Sequence, residues 1–195
     1  MKREIVVFDF DETLTTKDTL AEFIKFAKGS MVYYWGLIVC SPILVAYMLK
    51  LLPNYKAKEY LFAHFFQGIV YEDFKQLGID FANRVDVIAR QKTLSALKEH
   101  KKKGHKLYVI SASIQEWVKP WCVQQGVDIV MGTQVEIKDR RLTGRFLTKN
   151  CYGKEKVNRL LQAEPNRSSY KLYAYGDSQG DKEILAFADE AIWVK

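Results

Sequence analysis

The segment REIVVFDFDETLTTKD, Arg3 to Asp18, constrains the fold more than any other. The run from Ile5 to Phe8 is β-branched and aromatic, the make-up of a short strand buried on both faces. It leads directly into Asp9 and Asp11, with Thr13 two residues further on. Two carboxylates that close repel each other, and burying them is unfavourable unless a counter-charge or a cation is at hand. The rest of the chain has to bring that compensation to the end of this strand.

Two later stretches repeat the pattern. HKLYVISAS (105–113) is apolar and ends in Ser111 and Ser113, and YKLYAYGDSQGD (170–181) ends in Asp177 and Asp181. VDIVMG (127–132) and AIWVK (191–195) read as shorter strands, and QVEIKDRRLTGRFL (134–147) as a hairpin. Helical patterns lie between them. DTLAEFIKFAKGS (18–30) has Leu20, Phe23, Ile24 and Ala27 at helical spacing and Gly29 as a stop, and KTLSALKEHKKKG (92–104), KEKVNRLLQAE (154–164) and DKEILAFA (181–188) follow. SIQE (113–116) has capping-box spacing, so Ser113 is expected to open a helix. Strands alternating with helices predict an α/β fold with a parallel sheet. Ligands of such sheets bind beyond the carboxyl ends of the strands, so groups far apart in sequence can converge there.

The block from 16 to 89 breaks the alternation. AKEYLFAHFFQGI (57–69) and YEDFKQLGIDFANRV (71–85) are further helices. The expected organisation is a core of residues 1–15 and 90–195, with a helical cap, 16–89, inserted after the first strand. Within the cap, SMVYYWGLIVCSPILVAYMLKLLP (30–53) carries no charge before Lys50, and Pro42 would kink a helix there. Tyr33, Tyr34, Trp35 and Tyr47 suit a water–lipid boundary, and Lys25, Lys28, Lys50, Lys56 and Lys58 flank the segment. Three readings of 31–52 stay open: packed core or partner face, contact with a membrane surface, and a full span.

A chain of 195 residues can bury a core without disulfides. Cys40, Cys122 and Cys151 are odd in number, far apart and without metal spacing, which predicts reduced thiols in a cytoplasmic protein. The amino terminus enters a strand pattern rather than a long apolar run, so no secretory signal is expected. A net charge of +7 suits an anionic partner or serves solubility alone. No basic–aromatic motif accompanies it, so nucleic acid is not an expected partner. No oligomeric state follows from the sequence. Asp9, Asp11, Asp177 and Asp181 at one sheet edge need a cation, and oxygen donors without histidine or paired cysteine favour Mg²⁺.

DFDET (9–13), VISAS (109–113), GKEKVNRL (153–160) and YGDSQGD (175–181), in that order, resemble the four motifs of the haloacid-dehalogenase superfamily of phosphatases. The resemblance is to subfamily IB, the branch containing phosphoserine phosphatase. CYGKEKVNRL, YGDS and the apolar insert are most similar to phosphatidylglycerophosphatases of the C type and related bacterial hydrolases. It implies a Rossmann-like core with a type C1 helical cap. It also implies an Mg²⁺-dependent phosphomonoesterase working through an aspartyl-phosphate. Asp9 matches the nucleophile, Asp11 the general acid and base, Thr13 the hydroxyl that shapes the first motif, Ser111 the phosphate donor and Lys156 the neutralising lysine. Asp177 matches the direct metal ligand and Asp181 a second or water-mediated one; Asp9 and the backbone carbonyl of Asp11 complete the metal shell. Two positions depart from the pattern and bear on substrate choice. Glu12 stands where a small residue is usual, and Asp18 where phosphoserine phosphatases carry glutamate.

The apolar, lysine-flanked cap directs the first expectation of substrate to a lipid phosphate such as phosphatidylglycerophosphate, at the inner face of the cell membrane. A soluble metabolite phosphatase similar to phosphoserine phosphatase is the alternative. A membrane-docking protein with a vestigial site is the rival from another class.

Overall fold

The computed structural model describes residues 3–195. Five parallel strands form the main sheet in the order β3-β2-β1-β6-β7: β1 (Arg3–Phe8), β2 (Lys106–Ile114), β3 (Ile129–Thr133), β6 (Tyr170–Gly176) and β7 (Glu190–Trp193). The hairpin of β4 (Val135–Lys138) and β5 (Arg141–Phe146) stands apart from it. The hairpin turns through Asp139 and Arg140, both at positive φ, the backbone that a two-residue turn between twisted strands requires. The α/β reading with a helical insertion after the first strand holds.

Alternation along the strands divides the core between the two faces of the sheet. Val6, Phe8, Leu107 and Val109 pack on one side with Phe10, Trp117 and Trp121; Ile5, Val7, Tyr108 and Ile110 pack on the other with Leu160, Leu172 and Ile184. The flanking helices are α6 (Gln91–Lys102), α7 (Gln115–Gln124), α8 (Lys154–Ala163) and α9 (Lys182–Phe187).

Five helices lie between β1 and α6: α1 (Thr19–Lys28), α2 (Ser30–Val39), α3 (Ser41–Met48), α4 (Asn54–Phe66) and α5 (Tyr71–Ile88). The chain leaves and re-enters the core side by side. Thr15 bridges Ala89, the Thr16 amide donates to the Ile88 carbonyl at 2.8 Å, and the Arg90 amide to the Leu14 carbonyl at 2.8 Å. An aromatic cluster of Phe23, Phe62, Phe66, Phe74 and Phe81 ties α1, α4 and α5 together, and Phe23 stacks on Trp117 of α7 at 4.5 Å.

One local expectation is corrected, and one of the open readings of the apolar stretch falls away. Ser113 does not cap a helix. β2 runs on through Ile114, α7 starts without a side-chain cap, and the Ser113 hydroxyl donates to Asp11 instead. The apolar stretch is not packed core. It breaks at Cys40 into α2 and α3, bent by 65°, and only Gly36 and Cys40 within 31–48 are buried. No single helix among the described residues is long and apolar enough to cross a membrane; α2 and α3 reach that length and apolarity only when taken together.

Candidate active site

The site forms where β1, β2 and β6 end. After Phe8 the chain leaves the strand and tightens into a turn, with the amides of Leu14 and Thr15 donating to the Phe10 carbonyl. Glu12 takes a positive φ of 57°, a conformation that glycine adopts without strain, so a small residue at this position has a backbone reason. Because the strand has ended, its two-residue period no longer applies, and the carboxylates of Asp9 and Asp11 part.

Asp9 turns towards Lys156 and Asp181. Lys156, in the first turn of α8, lies 2.5 Å from Asp9 Oδ1 and 2.5 Å from Asp181 Oδ1, and all three are buried. Thr13 is fully buried and its hydroxyl donates to Asp177 Oδ1 at 2.7 Å. Asp181 Oδ2 accepts from the Ser178 amide at 3.1 Å and the Ser178 hydroxyl at 2.8 Å. This inward carboxylate needs a residue without a side chain at Gly176, where a Cβ would come within 2.5 Å of the Asp181 Cβ. Carboxylate oxygens of Asp9, Asp177 and Asp181 lie within 4.8 Å of one another.

Asp11 faces the helical insertion. The Thr19 amide and hydroxyl donate to its Oδ1 at 2.8 and 2.5 Å, and the Ser113 hydroxyl donates to its Oδ2. Its carboxylate is therefore not part of the acidic triad, so a metal contact from Asp11 would have to come from its backbone carbonyl. Ser111 is buried at the pocket wall, its Oγ accepting from the Ser113 amide at 3.0 Å. Asp18 caps α1 through Oδ1, accepting from Leu20 and Ala21, and also borders the pocket with Glu12.

Burial pushes the Asp9 carboxyl up to about 7; Lys156 opposes the rise, and Asp181 and Asp11 add to it. Burial also raises Asp11, with repulsion from Asp18 adding and Lys58 opposing. Asp177 is raised by burial against the pull of Thr13. Burial works against the Lys156 charge, yet Asp9 and Asp181 hold that ammonium well above its ordinary range.

Three carboxylates around one lysine leave an excess of buried negative charge, and the donors are all oxygen. That set fits Mg²⁺, with Asp9, Asp177 and Asp181 as the residues that would hold it.

The sequence reading missed part of the pocket. Thr19 and Ser113 hold Asp11, and Lys58 and Asn54 of α4 join Asn150, Tyr152 and Gln179 around a cavity of about 360 Å³. Ser113 was findable, since it follows Ser111 by one strand period. Lys58 and Asn150 carry no local signal.

The comparisons agree with this geometry. The model of the haloacid dehalogenase-like hydrolases matches residues 6–186. Protein CicA of Caulobacter vibrioides is 32% identical over 188 residues, 95% of this chain and 83% of that one. A histidinol-phosphatase of Neisseria meningitidis is 30% identical over 104 residues, covering 50% of this chain and 47% of the relative. Among solved structures, a Bordetella pertussis protein of unknown function superposes with a TM-score of 0.79 at 20% identity, over 95% of this chain and 87% of that one. A phospho-aspartyl intermediate analogue of phosphoserine phosphatase superposes at 0.66 and 20% identity, over 99% and 87%. With the family model spanning nearly the whole chain and the acidic triad in place at the sheet edge, this chain belongs to the haloacid dehalogenase-like hydrolases.

Proposed function

We propose that the protein is a divalent-cation-dependent phosphomonoesterase with Asp9 as nucleophile. The observation that carries this reading is the buried arrangement of Asp9, Lys156 and Asp181, with Asp11 held separately by Thr19 and Ser113. An Asp9 oxygen attacks phosphorus and the ester P–O bond breaks. Asp11 gives its proton to the departing oxygen, and the aspartyl-phosphate remains. Asp11 then takes a proton from water, which attacks the same phosphorus and releases phosphate and the Asp9 carboxylate. Lys156 and Ser111 face the negative charge of the transferring group, and Thr13 keeps Asp177 in place. Asp9, Asp177 and Asp181 would hold Mg²⁺, which would supply further charge neutralisation and favour the ionised form of Asp9.

The substrate reading moves from the lipid phosphate to a small phosphomonoester. The residues around the pocket include Asp9, Asp11, Asp18, Lys58, Ser111 and Asn150, side chains suited to phosphate and a short polar leaving group. The phosphatases among its relatives and structural neighbours include a histidinol-phosphatase and phosphoserine phosphatases. A lipid phosphate is the second reading, favoured by the exposed apolar helices beside the pocket.

The test is phosphate release with Mg²⁺ from a panel of soluble phosphomonoesters and from phosphatidylglycerophosphate in mixed micelles, with Asp9→Asn as blank. Turnover of a soluble ester, lost in the variant, supports the reading. Turnover of the lipid alone reverses the choice of substrate. Turnover that Asp9→Asn leaves intact sinks the mechanism.

A further inference from the structure

Helices α2 and α3 are apolar on every side. One face of α2 is held: Gly36 and Cys40 are buried, Tyr33 lies along the Phe65 ring of α4, and a Cβ at Gly36 would fall 2.2 Å from that ring. The opposite face is bare. Met31, Trp35 and Ile38 recur at helical spacing and are 88%, 67% and 62% exposed. Beyond the bend, Met48 and Leu51 are each 76% exposed, with Val45 and Leu49 beside them. Single exposed apolar residues are ordinary on a protein surface, but a contiguous patch of this kind marks a surface that something covers.

Charge identifies the cover. From Phe23 to Lys58 the chain has five lysines (Lys25, Lys28, Lys50, Lys56 and Lys58) and no acidic residue. Lys25 and Lys56 pair with Glu22 and Glu59 just outside that run, and Lys58 lines the pocket, which leaves Lys28 and Lys50, without an ion pair among the described residues, to border the patch. The charge-free stretch lies between them, from Gly29 to Leu49. A second copy docked through the same patch would set these lysines against their own counterparts. An anionic bilayer meets both requirements: acyl chains for the apolar face and lipid phosphates for its lysine border. Tyr34, Trp35 and Tyr47, all exposed, belong to the residue types that settle at the headgroup boundary. With 10 and 8 residues, the helices are about 15 and 12 Å long, each far short of a hydrocarbon core of about 30 Å.

We infer that α2 and α3 dock the protein on an anionic lipid surface, lying in the interface rather than crossing it. The patch and the candidate active site are neighbours along the chain: α3 leads through residues 49–53 into α4, whose Asn54 and Lys58 line the pocket. Docking therefore sets the pocket close to the membrane surface, whichever phosphomonoester it hydrolyses.

The experiment is cosedimentation of the full chain with vesicles of phosphatidylcholine alone or of equimolar phosphatidylcholine and phosphatidylglycerol. Binding to the anionic vesicles is expected to exceed binding to the neutral ones by about thirtyfold, since each lysine near the surface contributes about fivefold and Lys28 and Lys50 are the two available. It should weaken as salt is added. Met31→Ser, Trp35→Ser, Ile38→Ser and Met48→Ser combined should lower it at least about a hundredfold. Lys28→Glu with Lys50→Glu should remove most of the anionic preference while leaving the apolar face whole. Urea unfolding and circular dichroism verify that the variants fold. Folded protein that stays in the supernatant with both vesicle types overturns the inference. So does a dimer in analytical ultracentrifugation that the fourfold variant dissociates, which would make the patch a self-interface. The readout is binding without turnover, so its failure is separate from failure of the proposed chemistry.

Discussion

Replacing Lys156 by methionine tests how the acidic centre is held together. The lysine is 3% exposed and lies 2.5 Å from both Asp9 and Asp181. Methionine keeps the length and removes the charge, leaving two buried carboxylates without their counter-ion. Breaking a buried ion pair from one side costs about 3–5 kcal/mol, and that loss is expected in EDTA at pH 9. The pH dependence follows from Asp9, whose folded value of about 7 already lies above its ordinary 3.8. A raised carboxyl binds its proton more readily in the folded state, so stability grows as pH falls through the folded value. Without Lys156 that value rises further, and the variant takes up its proton between pH 9 and 7, where the parent does not. Each unit in that window returns about 1.4 kcal/mol, so the loss narrows by up to about 3 kcal/mol at pH 7. Below pH 7 both forms titrate and the gap levels off. Urea unfolding followed by the fluorescence of the buried Trp117 and Trp121 measures the loss at each pH. A loss under about 1 kcal/mol at pH 9, or one that does not narrow by pH 7, would refute the reasoning.

Thr13→Val removes the hydroxyl that holds Asp177 Oδ1, and should weaken Mg²⁺ affinity about 10–100-fold, read from the Mg²⁺ dependence of phosphate release; an unchanged midpoint would separate Thr13 from the metal. Ser113→Ala removes a hydrogen bond that keeps Asp11 from rising further, so the pH–rate profile should move to higher pH by about one unit, and a profile that stays put would mean that Asp11 is not the titrating group. At Gly78 a Cβ would come 2.2 Å from the Glu116 carbonyl oxygen, so Gly78→Ala must push α5 and α7 apart. A loss of about 1–3 kcal/mol is expected, seen as a Tm lower by about 2–4 °C per kcal/mol, and an unchanged Tm would show that the helices separate freely.

The sheet was legible because its signals are local. Ile5, Val7 and Val6, Phe8 alternate between two faces, and three strand ends carry their acids and hydroxyls into the same edge. The separate surroundings of Asp9 and Asp11 were not legible, since the strand period stops at Phe8 and the following turn sets each direction. Ser113 was misread because its spacing to Glu116 imitates a capping box. A hydrogen bond to a residue 102 positions earlier decides its place instead, and the strand continues past it. The apolar stretch could only be left open, for a different reason. Hydropathy reports that 31–49 avoids charge, but not whether protein covers it, and only the packed structure shows one face of α2 used and the other bare.

Asp11 stands at the seam between sheet and insertion. Thr19 reaches it from α1, Ser113 from β2, and Lys58 of α4 opposes the rise in its pKa across the pocket. Two of these three groups belong to helices that join the core chain through the paired segments at Thr15 and Ala89. Moving the insertion away from the sheet would take Thr19, Lys58 and Asp18 from the carboxylate together and open it to water. Burial and the Asp18 charge raise its pKa and outweigh Thr19, Ser113 and Lys58, which lower it. Opening therefore favours the carboxylate, the state that accepts a proton from water, and closure favours the protonated form, the state that serves a departing ester oxygen. The same contacts that close the pocket thus bias which half of the reaction Asp11 is ready for.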